Sequence, residues 1–150
     1  MSRFQKSAHI PCERSISDGQ QDPHRYQRRP PAIGTYSQAI RTGDLVFVTG
    51  QTGHDPNTGK LEEGLEAQSR RMLSNIDAIL NAAGCSPADI VKVTLLLADI
   101  KDFKAVDVIY SAWLPGLGVT PLPTRTAFAA ASLPAGALVM LDVVAAYPSD

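Results

Sequence analysis

The chain has 150 residues, 44% of them apolar and 19% charged, enough for one domain with a sizeable core. Its formal net charge of −1 gives no global field to attract nucleic acid or an anionic membrane surface, and no apolar run approaches the ~20 residues that span a bilayer. Two cysteines in unlike surroundings, Cys12 and Cys85, make no disulfide framework, and no apolar leader follows Met1, so a cytoplasmic protein is expected.

Residues 1–32 stand apart. Ser, Gln, Arg, Asp and His predominate, neither a 2.0 nor a 3.6 period is present, and Pro30-Pro31 closes the segment. Arg3, Lys6, Arg14, Arg25, Arg28 and Arg29 outnumber Glu13, Asp18 and Asp22, but the stretch is neither acid-free nor amphipathic as organellar leaders are. The expectation is a flexible, solvated N-terminal arm, with the folded domain over 33–150.

From Tyr36 the pattern is strand, turn, strand: Thr42-Gly43-Asp44 supplies a tight turn and Leu45–Thr49 is a β-rich apolar run. Asp55-Pro56-Asn57-Thr58-Gly59 is a second turn. The period then changes. Leu65, Met72, Leu73, Ile76, Ile79, Leu80 and Ala83 recur at three and four residues, which predicts a helix of about five turns that stops at Gly84. Ser86-Pro87-Ala88-Asp89 has the residues of a capped helical turn and leads into a strand over Val91–Leu97. A second helix is expected from Phe103 to Leu114, followed by a Pro/Gly-rich loop to Pro123. Thr126–Ala131 and Leu138–Tyr147 then read as two strands joined through Leu133-Pro134-Ala135-Gly136.

The order is ββαβαββ, and two amphipathic helices beside a mostly buried sheet imply a two-layer α/β sandwich with both helices on one face. The strands carry apolar residues at both parities. Leu96 opposes the parity of Val93, Leu95 and Leu97; Met140 and Val144 oppose that of Val139, Leu141 and Val143. The second sheet face therefore needs a cover, and association of subunits is the expected one.

One arginine stands alone: between Lys104 and the C-terminus Arg125 is the only cation, at the start of a strand rather than on a charged helix face. A guanidinium fork there matches a ligand carboxylate in two parallel hydrogen bonds, or it pairs with a carboxylate of the protein itself. His54 beside Asp55 suggests a base with its orienting acid, but neighbours in a turn are poor geometric partners, so His54 is read as a surface turn residue. Neither zinc-ligand spacing nor a phosphate-cradling glycine loop is present, and no metal or organic cofactor is expected.

Four segments carry a family resemblance. Gly34-Thr35-Tyr36-Ser37-Gln38-Ala39, Leu45-Val46-Phe47-Val48-Thr49-Gly50-Gln51, Asp102–Tyr110, and Arg125 followed by Leu133-Pro134-Ala135-Gly136-Ala137 resemble, in order and spacing, motifs of the YjgF/RidA family of reactive intermediate deaminases. The resemblance covers about residues 31–147. It implies a mixed sheet of the chorismate-mutase-like kind, a homotrimer with ligand clefts between subunits, and hydrolysis of imine and enamine carboxylic acids to 2-oxo acids and ammonia. By the same resemblance Arg125 holds the substrate carboxylate, Tyr36 and Thr49 line the cleft, and Asp107 stands where the family usually has asparagine. Ala127 occupies a position usually held by a small residue or cysteine.

One position departs. Met140 falls where the family usually carries a glutamate that handles water and protons, and a thioether does neither. Asp142 shares its strand parity but lies ~7 Å further along. The resemblance therefore implies a deaminase catalysed by Arg125, Tyr36 and Asp142. The alternatives are a diverged enzyme for a larger or cyclic imine, or a silent module that binds 2-oxo or other small carboxylic acids. Ribonuclease activity, also attributed to the family, would need a basic track with interleaved aromatics that this domain lacks.

Overall fold

A computed structural model describes residues 35–148, apart from Pro115 and Leu117. The expected arm over 1–32 lies outside the described residues, as does Cys12. The elements follow the expected order: β1 (Ala39–Thr42), β2 (Leu45–Thr52), α1 (Leu65–Ala82), β3 (Ile90–Leu97), α2 (Phe103–Trp113), β4 (Thr124–Ala129) and β5 (Val139–Ala146). The sheet runs β1-β2-β5-β3-β4, antiparallel except for the β3/β4 pair, which is parallel and connected through α2.

Local chemistry accounts for the joints. Gly43 turns β1 into β2 at φ 55°, and Gly84 ends α1 at φ 80°, a conformation that costs other residues about 1 kcal/mol. Ser86 and Asp89 cap one 3-10 turn: the Asp89 carboxylate accepts from the Ser86 amide at 2.7 Å and from its hydroxyl at 2.9 Å. β4 starts two residues earlier than its apolar run, because Thr124 and Arg125 continue the parallel ladder opposite Lys92 and Val93. Arg125 is thus inside a strand rather than before it.

The core lies between the sheet and the helices. Met72, Ile76, Ile79 and Leu80 of α1 and Val106 of α2 pack on Val46, Val93, Leu95, Leu97, Leu141 and Val143, all of them buried. The opposite sheet face carries Leu45, Phe47 and Phe128, which are 39%, 45% and 46% exposed. Burying such side chains against another surface is worth about 1.5–3 kcal/mol each.

β2 contains a bulge. Val48 pairs with Val143 but Gln51 pairs with Leu141, so Thr49 and Gly50 together oppose Asp142. Parity inverts across it: Val46 and Val48 are buried before the bulge, Gln51 after it.

Between the helices, Trp113 Nε1 donates to both Asp77 carboxylate oxygens, at 3.2 and 3.4 Å. Burial raises the Asp77 pKa, and the Trp113 hydrogen bond offsets part of the rise. A raised folded-state value means that the folded chain holds this proton more tightly than the unfolded one. The stability it contributes is present below the ordinary carboxylate value of 3.8 and is lost as pH rises through the folded-state value. Asp77→Asn keeps an acceptor for Trp113 and carries no charge. Its melting temperature is expected to exceed that of the wild type at pH 7, with the gap closing in scans taken below pH 4. A variant that melts lower at pH 7 would mean that the ionised carboxylate stabilises this contact.

Candidate active site

The functional candidates fall into two groups, held by different parts of the fold. The first lines a cleft of about 520 Å³ beside the bulge and includes Tyr36, Thr49, Gly50, His54, Ala135 and Met140. Met140 pairs with Thr52 across the β2/β5 ladder, and its thioether lies against Gly50, where an added Cβ would sit 3.0 Å from the sulfur. The bulge glycine is therefore the space that Met140 fills.

Helix α1 holds both walls of this cleft. Buried Asn75 donates to the carbonyls of Thr52 and His54, at 3.1 and 2.9 Å, which pins the strand end. Buried Gln68 donates to the Glu62 carbonyl at 3.0 Å and accepts from the Leu138 amide at 2.8 Å, which ties the Leu133–Ala137 loop to the helix. In that loop Ala135 sits at φ 55°, ψ 25°. A left-handed alanine costs about 1–2 kcal/mol, a strain that the surrounding contacts sustain at the cleft wall.

His54 does not partner Asp55. The Asp55 carboxylate accepts from the Asn57 amide at 2.7 Å and faces Arg71 at 3.9 Å, while His54 Nδ1 lies 2.6 Å from Thr52 Oγ1. This histidine, expected on a surface turn, is a cleft residue. The clue in the sequence was its i, i+2 spacing from Thr52, which puts two side chains of an extended segment on one side.

The second group lies at the opposite edge of the sheet. Arg125 Nη1 donates to Asp107 Oδ1 at 2.5 Å, with the two side chains 27% and 35% exposed. The Phe103 and Tyr110 rings lie 5.2 and 5.1 Å from the guanidinium carbon. Burial pushes the Tyr110 phenol up; Asp107 adds to the rise and Arg125 opposes it, so the ring stays neutral at physiological pH. Of the three Arg125 guanidinium nitrogens only Nη1 has a hydrogen-bond partner among the described residues, which leaves the fork's remaining donors for a second carboxylate. Ala127 follows on the same strand face, packed against the core.

Within one chain the two groups do not meet. Arg125 pairs with Val93, whose β5 partner is Val143, and both of these face the helices; Met140 pairs with Leu96 and faces away. Two strand spacings and about three residues separate them, roughly 10 Å in each direction, and the sheet lies between. Asp142 is on the Met140 face, opposite Thr94 and the bulge, and does not line the cleft. Among the described residues no group of three or more His, Cys, Asp or Glu could hold a metal ion, and no helix is long and apolar enough to cross a membrane.

Known proteins share this architecture. The family described as Endoribonuclease L-PSP matches residues 26–147. A Rattus norvegicus protein named 2-iminobutanoate/2-iminopropanoate deaminase is 40% identical over 119 residues, 79% of this chain and 84% of its own length. Reactive Intermediate Deaminase A, chloroplastic, of Arabidopsis thaliana is 39% identical over 120 residues, 79% of this chain and 62% of that protein. The structure of E. coli TdcF with bound serine superposes with a TM-score of 0.77 at 34% identity, covering 81% of this chain and 95% of that one. A family match spanning most of the chain, together with relatives about 40% identical and the ββαβαββ order, places the chain in the YjgF/RidA family.

Proposed function

We propose that this protein is a deaminase that hydrolyses small imine and enamine carboxylic acids to 2-oxo acids and ammonia. The observation that carries the reading is Arg125: a lone, half-buried guanidinium held through one nitrogen, with donors left for a ligand carboxylate. Relatives named for 2-imino acids, and one solved with serine, use ligands that carry such a carboxylate. The Asp107 carboxylate beside it offers a counter-charge to a protonated imine nitrogen, so the pair suits a ligand bearing both charges.

The working unit in this reading is a homotrimer. Exposed Leu45, Phe47 and Phe128 lie on the sheet face that Met140 shares, and in this reading neighbouring subunits cover that face and set the Arg125 edge of one chain beside the Met140 cleft of the next. Sedimentation at micromolar concentration is expected to give three times the chain mass; a single-chain mass would rule out a shared site.

The direct test is a coupled assay. An amino-acid oxidase generates assorted imino acids, semicarbazide traps those that survive, and the purified protein is expected to lower the trapped fraction. A second reading follows from Met140, which gives the cleft adaptable apolar surface and no proton-handling acid: a silent module for 2-oxo acids, or an enzyme for a larger imine. A trapped fraction that never falls, with calorimetric binding of 2-oxo acids, would favour the module; a fall confined to bulky or cyclic imines would favour the diverged enzyme.

A further inference from the structure

We infer that His54, oriented by Thr52, is the proton-handling group of the cleft and takes the place of the acid that Met140 lacks. The inference rests on the deaminase reading above. It starts from geometry: His54, Thr52 and Met140 line the same cleft, Thr52 sits directly opposite Met140 in the ladder, and Nδ1 of His54 lies 2.6 Å from Thr52 Oγ1. The bulge puts Thr52 and His54 on this side of the strand, and Asn75 fixes the backbone of both. The imidazole is therefore held by its own side-chain hydrogen bond and by a buried amide from α1.

Chemistry separates this arrangement from a mere surface contact. A hydroxyl accepts as readily as it donates, so Nδ1–H can donate to Thr52 Oγ1 whether the ring is neutral or protonated. The orienting bond then survives while Nε2 gains and loses a proton. Among the described residues Nε2 has no hydrogen-bond partner. Imidazole is the side chain most often used as general base and acid, and such help is typically worth 10²- to 10⁴-fold.

The steps balance without a co-reactant other than water. Nε2 accepts a proton from water as its oxygen bonds to the iminium carbon, and the C=N π pair moves onto nitrogen to give a neutral carbinolamine. The imidazolium returns that proton to the amine. The C–N bond then breaks with its pair leaving on ammonia, while the hydroxyl proton passes to Nε2 and on to ammonia. A 2-oxo acid and an ammonium ion remain, and the histidine is regenerated.

The test uses the full-length protein in the imine-trapping assay. His54→Ala is expected to lower the rate about 100-fold, and added imidazole is expected to restore part of it in the variant without accelerating the wild type. Thr52→Val, which removes the hydroxyl at nearly constant volume, is expected to lower kcat several-fold with little change in KM. Adding Met140→Glu to His54→Ala is expected to recover at least tenfold, because a carboxylate then stands in the same cleft. If His54→Ala disturbs folding by circular dichroism, His54→Asn, which can keep the bond to Thr52, decides the matter by the same loss of rate. An active wild type with His54→Ala and His54→Asn at full rate overturns the role of His54 alone. A wild type that clears no imine overturns the deaminase reading and this inference together.

Discussion

Arg125→Lys is expected to bind short 2-oxo acids ten- to a hundredfold more weakly than the wild type in calorimetry. A lysine keeps the charge but presents a point donor in place of a planar fork, and losing one arm of a charge-assisted pair costs ~1.5–3 kcal/mol. The flanking Phe103 and Tyr110 rings favour the flat guanidinium as well, since they lie within reach of a cation–π contact. Asp107 sharpens the comparison, because either cation can still pair with it. Unchanged affinity in Arg125→Lys would reduce the arginine to a structural partner of Asp107.

Gly53→Ala is expected to cost about 3 kcal/mol of stability and to lower the melting temperature by roughly 10 °C. A Cβ on Gly53 would meet the backbone of α1, 2.4 Å from Gln68 Cα and 2.7 Å from its carbonyl oxygen. A flexible side chain could step aside, but a helix backbone moves only with its whole buried face, here Met72 and Ile76. Because Gln68 and Asn75 hold the two cleft walls to that helix, the same shift should cost deaminase activity even in the folded fraction. Melting within 2 °C of the wild type would show that strand and helix can separate freely at this point.

Much of the fold was legible in the residues. Seven apolar positions at three- and four-residue spacing gave α1, and Gly84 marked its end because only a residue at home at positive φ stops a helix that way. Leu96, Met140 and Val144, at the second strand parity, pointed to an apolar outer sheet face, and the structure adds exposed Leu45, Phe47 and Phe128 to it. The candidate site was less legible. Strand pattern assigns a side chain to one of two faces but says nothing of strand order, so it did not show that Arg125 and Met140 lie on opposite faces, two strands apart. His54 was misread for a related reason: an extra residue in β2 is a property of its pairing with β5, and no local composition announces it. Asp142 shares the parity of Met140, as the alternation requires, yet faces the bulge instead of the cleft.

That extra residue makes the site a matter of counting. Loss of one codon at Gly50 would leave every other amino acid unchanged and restore an unbroken ladder from Val48 to Thr52, with Gln51 still opposite Leu141 and Thr52 still opposite Met140, so each side chain would keep its face. What would go is the local bend and twist that the extra residue gives β2, and with them the gap beside the Met140 thioether that Gly50 leaves open. For this chain, then, the bulge is the one point of β2 where strand length can change by a residue without exchanging faces: a shortened lineage would keep Thr52 and His54 on the cleft side and lose only the local geometry that seats Met140.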